Sequence, residues 1–250
     1  MTGTRVDQLG TLLAANSKIQ QSFVTAGPQG PSHAVAIVLG DMTKITADAY
    51  VVPHFQGAVS YGGVGAAVAR GGAGLGLQKY EQIISALGQE LKWGDVTITP
   101  SGGGQSKNLI HVVSVGSSDA EEEAGVVSTA ISQVLLASQQ NNLDTIVVPA
   151  LGTGVVGYLT AGQSARAILG ALFTYWGQEP QNAPHQIVIA IYGNPEAYRS
   201  FEAVLRAGVS TAEAASIGHG ERKVFDMRRW VADITGGMEV ESTLRGDKKN

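Results

Sequence analysis

Cysteine is absent from the 250 residues, which excludes disulfides, thiolate metal sites and a cysteine nucleophile. Histidine is scarce: the five imidazoles are scattered and form neither HxxxH nor HExxH, so zinc chemistry is not expected and no metal or cofactor is assigned. Charged residues make up only 15% of the chain, well below the usual share. A formal net charge of -4 offers no general attraction for nucleic acid. No run of about 18 apolar residues occurs, so no membrane span is expected. The segment 1–30 also lacks a basic start followed by an apolar stretch, and the chain reads as cytoplasmic. Glycine, by contrast, is abundant at 33 residues, about twice the average share, which predicts a loop-rich, polar but weakly charged surface.

Three segments are expected. In 1–32, Val6, Leu9, Leu12 and Leu13 recur at helical spacing, and the breaker-rich 26–31 follows; this predicts an extension with a short helix outside the main fold. The segment 33–208 alternates strands and helices. Apolar or β-branched runs fall at 34–39, 49–52, 95–99, 109–115, 145–149 and 187–192, and helical patterns at 77–87, 126–139, 161–176 and 196–206. This order predicts an α/β fold whose mixed, mostly parallel sheet is covered on both faces. In 209–250 the apolar density drops; Val224, Met227, Val231 and Ile234 fit one more amphipathic helix, followed by a disordered tail.

In sheets of this kind ligands bind beyond the carboxyl ends of the strands, and there the glycines cluster. Residues 151–158, Leu151-Gly152-Thr153-Gly154-Val155-Val156-Gly157-Tyr158, follow the strand 145–149. Glycine there lets backbone NH groups converge on phosphate oxygens that bulkier side chains would hold away. Gly152, Gly154 and Gly157 also spell GxGxxG, but in a dinucleotide fold the later glycines already belong to the helix. Here Thr160 and Gln163 form a capping box that starts the helix at Ala161. The next strand ends in Tyr192-Gly193-Asn194, with no acid to hold a nicotinamide-cofactor ribose. A second cluster, Gly62-Gly63-Val64-Gly65-Ala66, opens a short helix whose first NH groups lack partners. Neither loop carries lysine or arginine, which suits a diphosphate diester better than a magnesium-bound triphosphate. Taken alone, both are also compatible with simple tight turns. Asp41 and Met42 end the first predicted strand; Asp41 can accept from an exocyclic amine, although by itself it reads as a helix N-cap.

In this order the blocks 40–43, 47–52, 62–70, 108–113 and 149–157 resemble the macro domain, the ADP-ribose-binding module, over roughly 33–208. The resemblance implies a three-layer α/β/α sandwich. It also implies ADP-ribose or an ADP-ribosylated macromolecule as partner, with nucleic acid only as such a target. Carried over by position, Asp41 becomes the adenine-amine acceptor, with the Met42 backbone beside it. Gly62, Gly63, Val64, Gly65 and Ala66 fall near the distal ribose, and 151–158 around the diphosphate. Tyr192 matches an aromatic position that packs on adenine in some members, although a core aromatic is the other reading, and Asn194 lines the same edge. Hydrolytic members of one branch carry Asn-Ala-Ala-Asn after the second strand and an acid in the first glycine loop. Here those positions read Val52-Pro53-His54-Phe55 and Gly65. Binding is therefore the leading expectation and ADP-ribosyl hydrolysis the alternative, with His54, beside the expected ribose, as its one candidate base.

Overall fold

A computed structural model describes residues 5–217 apart from 28, 29, 57, 88, 89, 156 and 179–182. The element order is α1 (Arg5–Ala14), β1 (Ile19–Gly27), β2 (Gly30–Gly40), β3 (Ala47–Phe55), α2 (Gly63–Val68), α3 (Gly74–Leu87), β4 (Val96–Pro100), β5 (Ser106–Val115), α4 (Ala120–Gln140), β6 (Thr145–Pro149), α5 (Ala161–Gly177), β7 (Gln186–Ile191) and α6 (Pro195–Ile217). The strands form one 7-stranded sheet in the order β1-β2-β7-β6-β3-β5-β4. The inner pairs run parallel, while the edge strands β1 and β4 are antiparallel to their neighbours. This is the mixed, mostly parallel sheet expected from the alternation of elements.

The alternation of side chains along each strand explains the three layers. Val35, Ile37, Leu39, Val51, Ile110, Val112, Ile146, Val148, Ile187 and Ile189 point to one face, where they meet α4, α5 and α6. Ala36, Val38, Tyr50, Val52, Leu109, Val147 and Val188 point to the other, under Leu9, Leu13, Val68 and Leu77 of α1, α2 and α3. Strands buried on both faces read as continuous apolar runs, as these do.

The amino terminus departs from the expectation of a helix outside the main fold. Leu9 and Leu13, one helical turn apart, are fully buried on the sheet, and Arg5 pairs with Asp144 at 3.0 Å. The next segment, β1, pairs with β2 from Ile19 opposite Gly40 to Gly27 opposite Gly30. Of the breaker-rich 26–31, Ala26 and Gly27 thus end β1, and Gly30 begins β2. At the other end α6 runs past 208 to Ile217; the helix expected over 224–234 and the tail lie outside the described residues. Among the described residues no helix is long and apolar enough to cross a membrane.

Candidate ligand-binding site

Because β2, β7, β6 and β3 are parallel neighbours, their carboxyl ends share one edge of the sheet. The segments that follow them therefore stand side by side in the spatial order 41–42, 192–194, 151–158 and 62–66. Strands lie about 4.8 Å apart, so this row spans about 14 Å.

At one end of the row Asp41 caps the 3-10 turn Met42–Lys44. Its Oδ1 accepts from the Thr43 amide at 2.9 Å and from the Thr43 hydroxyl at 2.8 Å. Its Oδ2 accepts no hydrogen bond among the described residues, so the capping role leaves one oxygen over. The Met42 side chain is buried in the core, which leaves its backbone as the part beside the site. Next in the row, Tyr192 is 82% exposed and is no core aromatic. Asn194 has a structural task, its Oδ1 accepting from the Ala197 amide at 3.0 Å at the start of α6.

The second glycine loop is a closed turn. Gly152 has φ of 78°, and a Cβ there would come within 2.8 Å of the Leu159 side chain. The Leu159 amide donates to the Gly152 carbonyl at 3.0 Å, and the Gly157 amide to the Gly154 carbonyl at 2.9 Å. The capping box of Thr160 and Gln163 is present at the start of α5, so the glycines lie in a loop ahead of the helix. Among the described residues, the amides of Gly152, Gly154 and Val155 have no acceptor, and Val155 is fully exposed. Val156 lies outside the described residues.

The loop is held from below by side chains of two helices. The Ser164 hydroxyl of α5 donates to the Leu151 carbonyl at 2.6 Å, and the Tyr158 amide donates to a carboxylate oxygen of Glu123 in α4. Glu123 is 1% exposed, and burial pushes its carboxyl above the ordinary range while the Tyr158 amide pulls it back. Sequence reasoning missed this residue. The signal was nonetheless there: 123, 127, 130, 131 and 134 share one helical stripe, and that stripe is buried.

At the far end of the row, Gly62 precedes α2 and offers no side-chain cap. Val64 packs on the core and Gly63 is exposed. Gly65 is buried, and a Cβ at that position would overlap the Ser60 carbonyl. The place where one hydrolytic branch has an acid thus has no room for a side chain. The Tyr61 hydroxyl, at the same loop, donates to Glu81 of α3 at 2.7 Å, a contact no local pattern announced.

His54 differs from the solvent-facing base that the alternative function needs. It is 0% exposed, its Nδ1 accepts from the Ser60 amide at 2.9 Å, and its Nε2 lies 2.9 Å from His111 Nδ1. His111 Nε2 in turn lies 2.8 Å from the Thr99 hydroxyl, which donates to the Gly76 carbonyl at 3.1 Å. The chain is consistent only with both imidazoles neutral and carrying hydrogen on Nε2. Burial lowers His54 to about 4; burial and the neighbouring His54 lower His111 to about 3. Tyr80 stacks on His111 at 4.2 Å and closes the cluster. His54 is therefore a support of the first loop, because both of its nitrogens are engaged away from water.

The Macro domain family model matches residues 56–168. An O-acetyl-ADP-ribose deacetylase of Salmonella typhimurium is 32% identical over 133 residues, covering 53% of this chain and 74% of that protein. The solved Oceanobacillus iheyensis macrodomain with ADP is similar at a TM-score of 0.65 and 22% identity, over 76% of this chain and 99% of that one. The Trypanosoma brucei macrodomain in complex with ADP-ribose is similar at a TM-score of 0.57 and 22% identity, over 68% of each chain. These structures share the fold described above.

Proposed function

The chain belongs to the macro domain family, and on that premise we propose that it is a cytoplasmic binder of ADP-ribose, free or attached to a macromolecule. The observation that carries this reading is the row of segments along one sheet edge. Asp41 Oδ2 and the Met42 backbone receive adenine, with Tyr192 against the ring; 151–158 wraps the diphosphate; Gly62 to Ala66 meets the distal ribose. Asn194 lines the adenine end. The spatial order of the segments is the order of these groups along the ligand. A row of about 14 Å is also of the right scale for an extended diphosphate-bridged ligand.

Backbone amides and a helix start can hold a diphosphate dianion without cationic side chains. This supports a diester ligand over a nucleoside triphosphate, whose extra charge calls for a metal or lysine. Calorimetry with ADP-ribose, ADP, AMP and NAD tests the reading. ADP-ribose binding at least tenfold tighter than AMP is expected; equal affinities would remove the distal-ribose role of the first loop.

Hydrolysis is the second reading, favoured by the deacetylase name of the relative at 32% identity. Two features weigh against the mechanism of the branch with an acid in the first loop: Gly65 has no room for that acid, and His54 is sequestered. A carboxylate that does touch the first loop is Glu81, through Tyr61, so a hydrolase here would draw its base from that pair. Incubation with O-acetyl-ADP-ribose and with ADP-ribose on Asp, Glu, Ser, Arg and nucleic-acid linkages decides. Product release abolished by Glu81→Gln supports hydrolysis, and no release by the wild type leaves binding alone.

A further inference from the structure

Three acids open α4, and their surroundings separate them. Glu121 is exposed and Glu122 half-buried in the first turn, where Asp119 accepts from both of their amides at 3.0 and 2.9 Å. Glu122 turns back to the Ser118 amide at 2.6 Å. These suffice to cap the helix and complement its dipole. Glu123 does neither. It points inward along the stripe that continues as Val127, Ala130, Ile131 and Val134, a position where any apolar residue would pack without the cost of burying a charge. Its carboxylate instead meets a group 35 residues away in sequence, the amide of Tyr158.

Tyr158 ends the turn whose carbonyl and amide groups are closed by Leu159 on Gly152 and Gly157 on Gly154. The start of that turn is held by Ser164 of α5 through Leu151. Helices α4 and α5 pack on the same face of the sheet, so the two side chains grip the loop from a rigid base, one at each end. Between the grips lie the amides of Gly152, Gly154 and Val155, which have no acceptor among the described residues. Such amides bind an anion well only if their directions are fixed before the ligand arrives.

We propose that Glu123 is a positioning residue of the second loop: its buried carboxylate holds the Tyr158 amide and thereby sets the turn that presents Gly152, Gly154 and Val155 to the diphosphate. This rests on the ligand reading above for its last clause, whereas the hold on the loop stands without it. Glu123 acts as an acceptor. At 1% exposure it does not meet the water that a catalytic base would activate.

The test compares wild type, Glu123→Ala and Glu123→Gln, the last keeping an oxygen acceptor in nearly the same shape while removing the charge. In the wild type the Tyr158 amide proton should move downfield as pH rises, with an inflection above the ordinary glutamate value; in Glu123→Gln that inflection should vanish. Hydrogen exchange at the Gly157 and Leu159 amides should be at least tenfold faster in Glu123→Ala and close to wild type in Glu123→Gln. ADP-ribose affinity should fall tenfold or more in Glu123→Ala and less than threefold in Glu123→Gln, with adenosine affinity unchanged in both. Wild-type exchange in Glu123→Ala would overturn the proposal, as would a Glu123→Gln loop as loose as that of Glu123→Ala. If wild type fails to bind ADP-ribose, the ligand reading fails, while the titration and exchange still decide whether Glu123 sets the loop.

Discussion

The two edges of the sheet are built in opposite ways. At the amino edge, where β3, β6 and β7 begin, charged side chains close the backbone. Asp48 accepts from the Asp144 and Thr145 amides at 3.0 and 3.1 Å and pairs with Lys107 at 2.7 Å. Asp144 joins Arg5 at 3.0 Å, His185 at 2.6 Å and the Gln186 side chain at 3.2 Å. At the carboxyl edge the two glycine loops, 62–66 and 151–158, carry no cation, and amides at the second loop are left without acceptors among the described residues. An edge that only has to end strands satisfies its amides with carboxylates, whereas an edge that receives an anion must leave them open. The ion pairs of Arg5, Lys107 and His185 thus lie at the edge where no anionic ligand is expected.

The largest effect expected of this contrast comes from filling the open edge. Gly152→Glu places a carboxylate against the expected diphosphate and a side chain against Leu159; ADP-ribose affinity should fall at least 100-fold by calorimetry, about 2.7 kcal/mol. Retained affinity would show that the phosphate site is elsewhere. Acid comes next, acting on the support beneath the first loop. Because His54 and His111 titrate near 4 and 3 in the fold, the unfolded chain takes up protons first as pH falls below about 6.5. Stability should therefore drop by several kcal/mol between about pH 6.5 and 4, since a tenfold difference in proton affinity between folded and unfolded chain is worth about 1.4 kcal/mol at each imidazole. Denaturant unfolding of His111→Asn against wild type across that range checks this, and the variant should show a shallower slope.

Smaller effects separate binding from closure. Asp41→Ala should cost roughly 1.5 to 3 kcal/mol of ADP-ribose binding, the range for a hydrogen bond to a charged group, together with about 1 kcal/mol of stability from the lost cap. Asp144→Ala should do the reverse. It should lower stability by about 1 to 2 kcal/mol, since its partners are half-exposed and partly screened, and leave affinity unchanged. A loss of ADP-ribose affinity in Asp144→Ala would erase the distinction between the edges. The smallest effect should be that of Val155→Ala: its side chain is free in solvent, so calorimetry should find affinity within threefold of wild type if the backbone amide is what binds.

What could be read from the chain follows from the range of the physics involved. β2, β5, β6 and β7 are buried on both faces, so their apolar runs are local signals, and the capping box at Thr160 is complete within four residues. β1 escaped because it is an edge strand: Gln20, Gln21 and Ser22 are exposed, so neither alternation nor a continuous apolar run marks it. The order of glycine blocks and Asp41 was legible as a resemblance, while the work done by individual side chains was not. His54 looked like a base beside a ribose until His111, 57 residues on, engaged it. Glu123 drew no notice because the loop it holds lies 35 residues away in sequence. Both are long-range pairings of a titratable side chain, which helical or strand periodicity does not encode.

The central claim is that backbone amides at the carboxyl edge hold an ADP-ribose diphosphate. An amide-resolved NMR titration of the wild-type protein with ADP-ribose tests it most directly. The account predicts the largest shifts at Gly152, Gly154 and Val155, with smaller ones at Gly62 to Ala66 and at Met42, and unmoved amides at Asp144 and Thr145. Saturable binding that leaves the 152–155 amides in place, or that moves the amino edge instead, would contradict it.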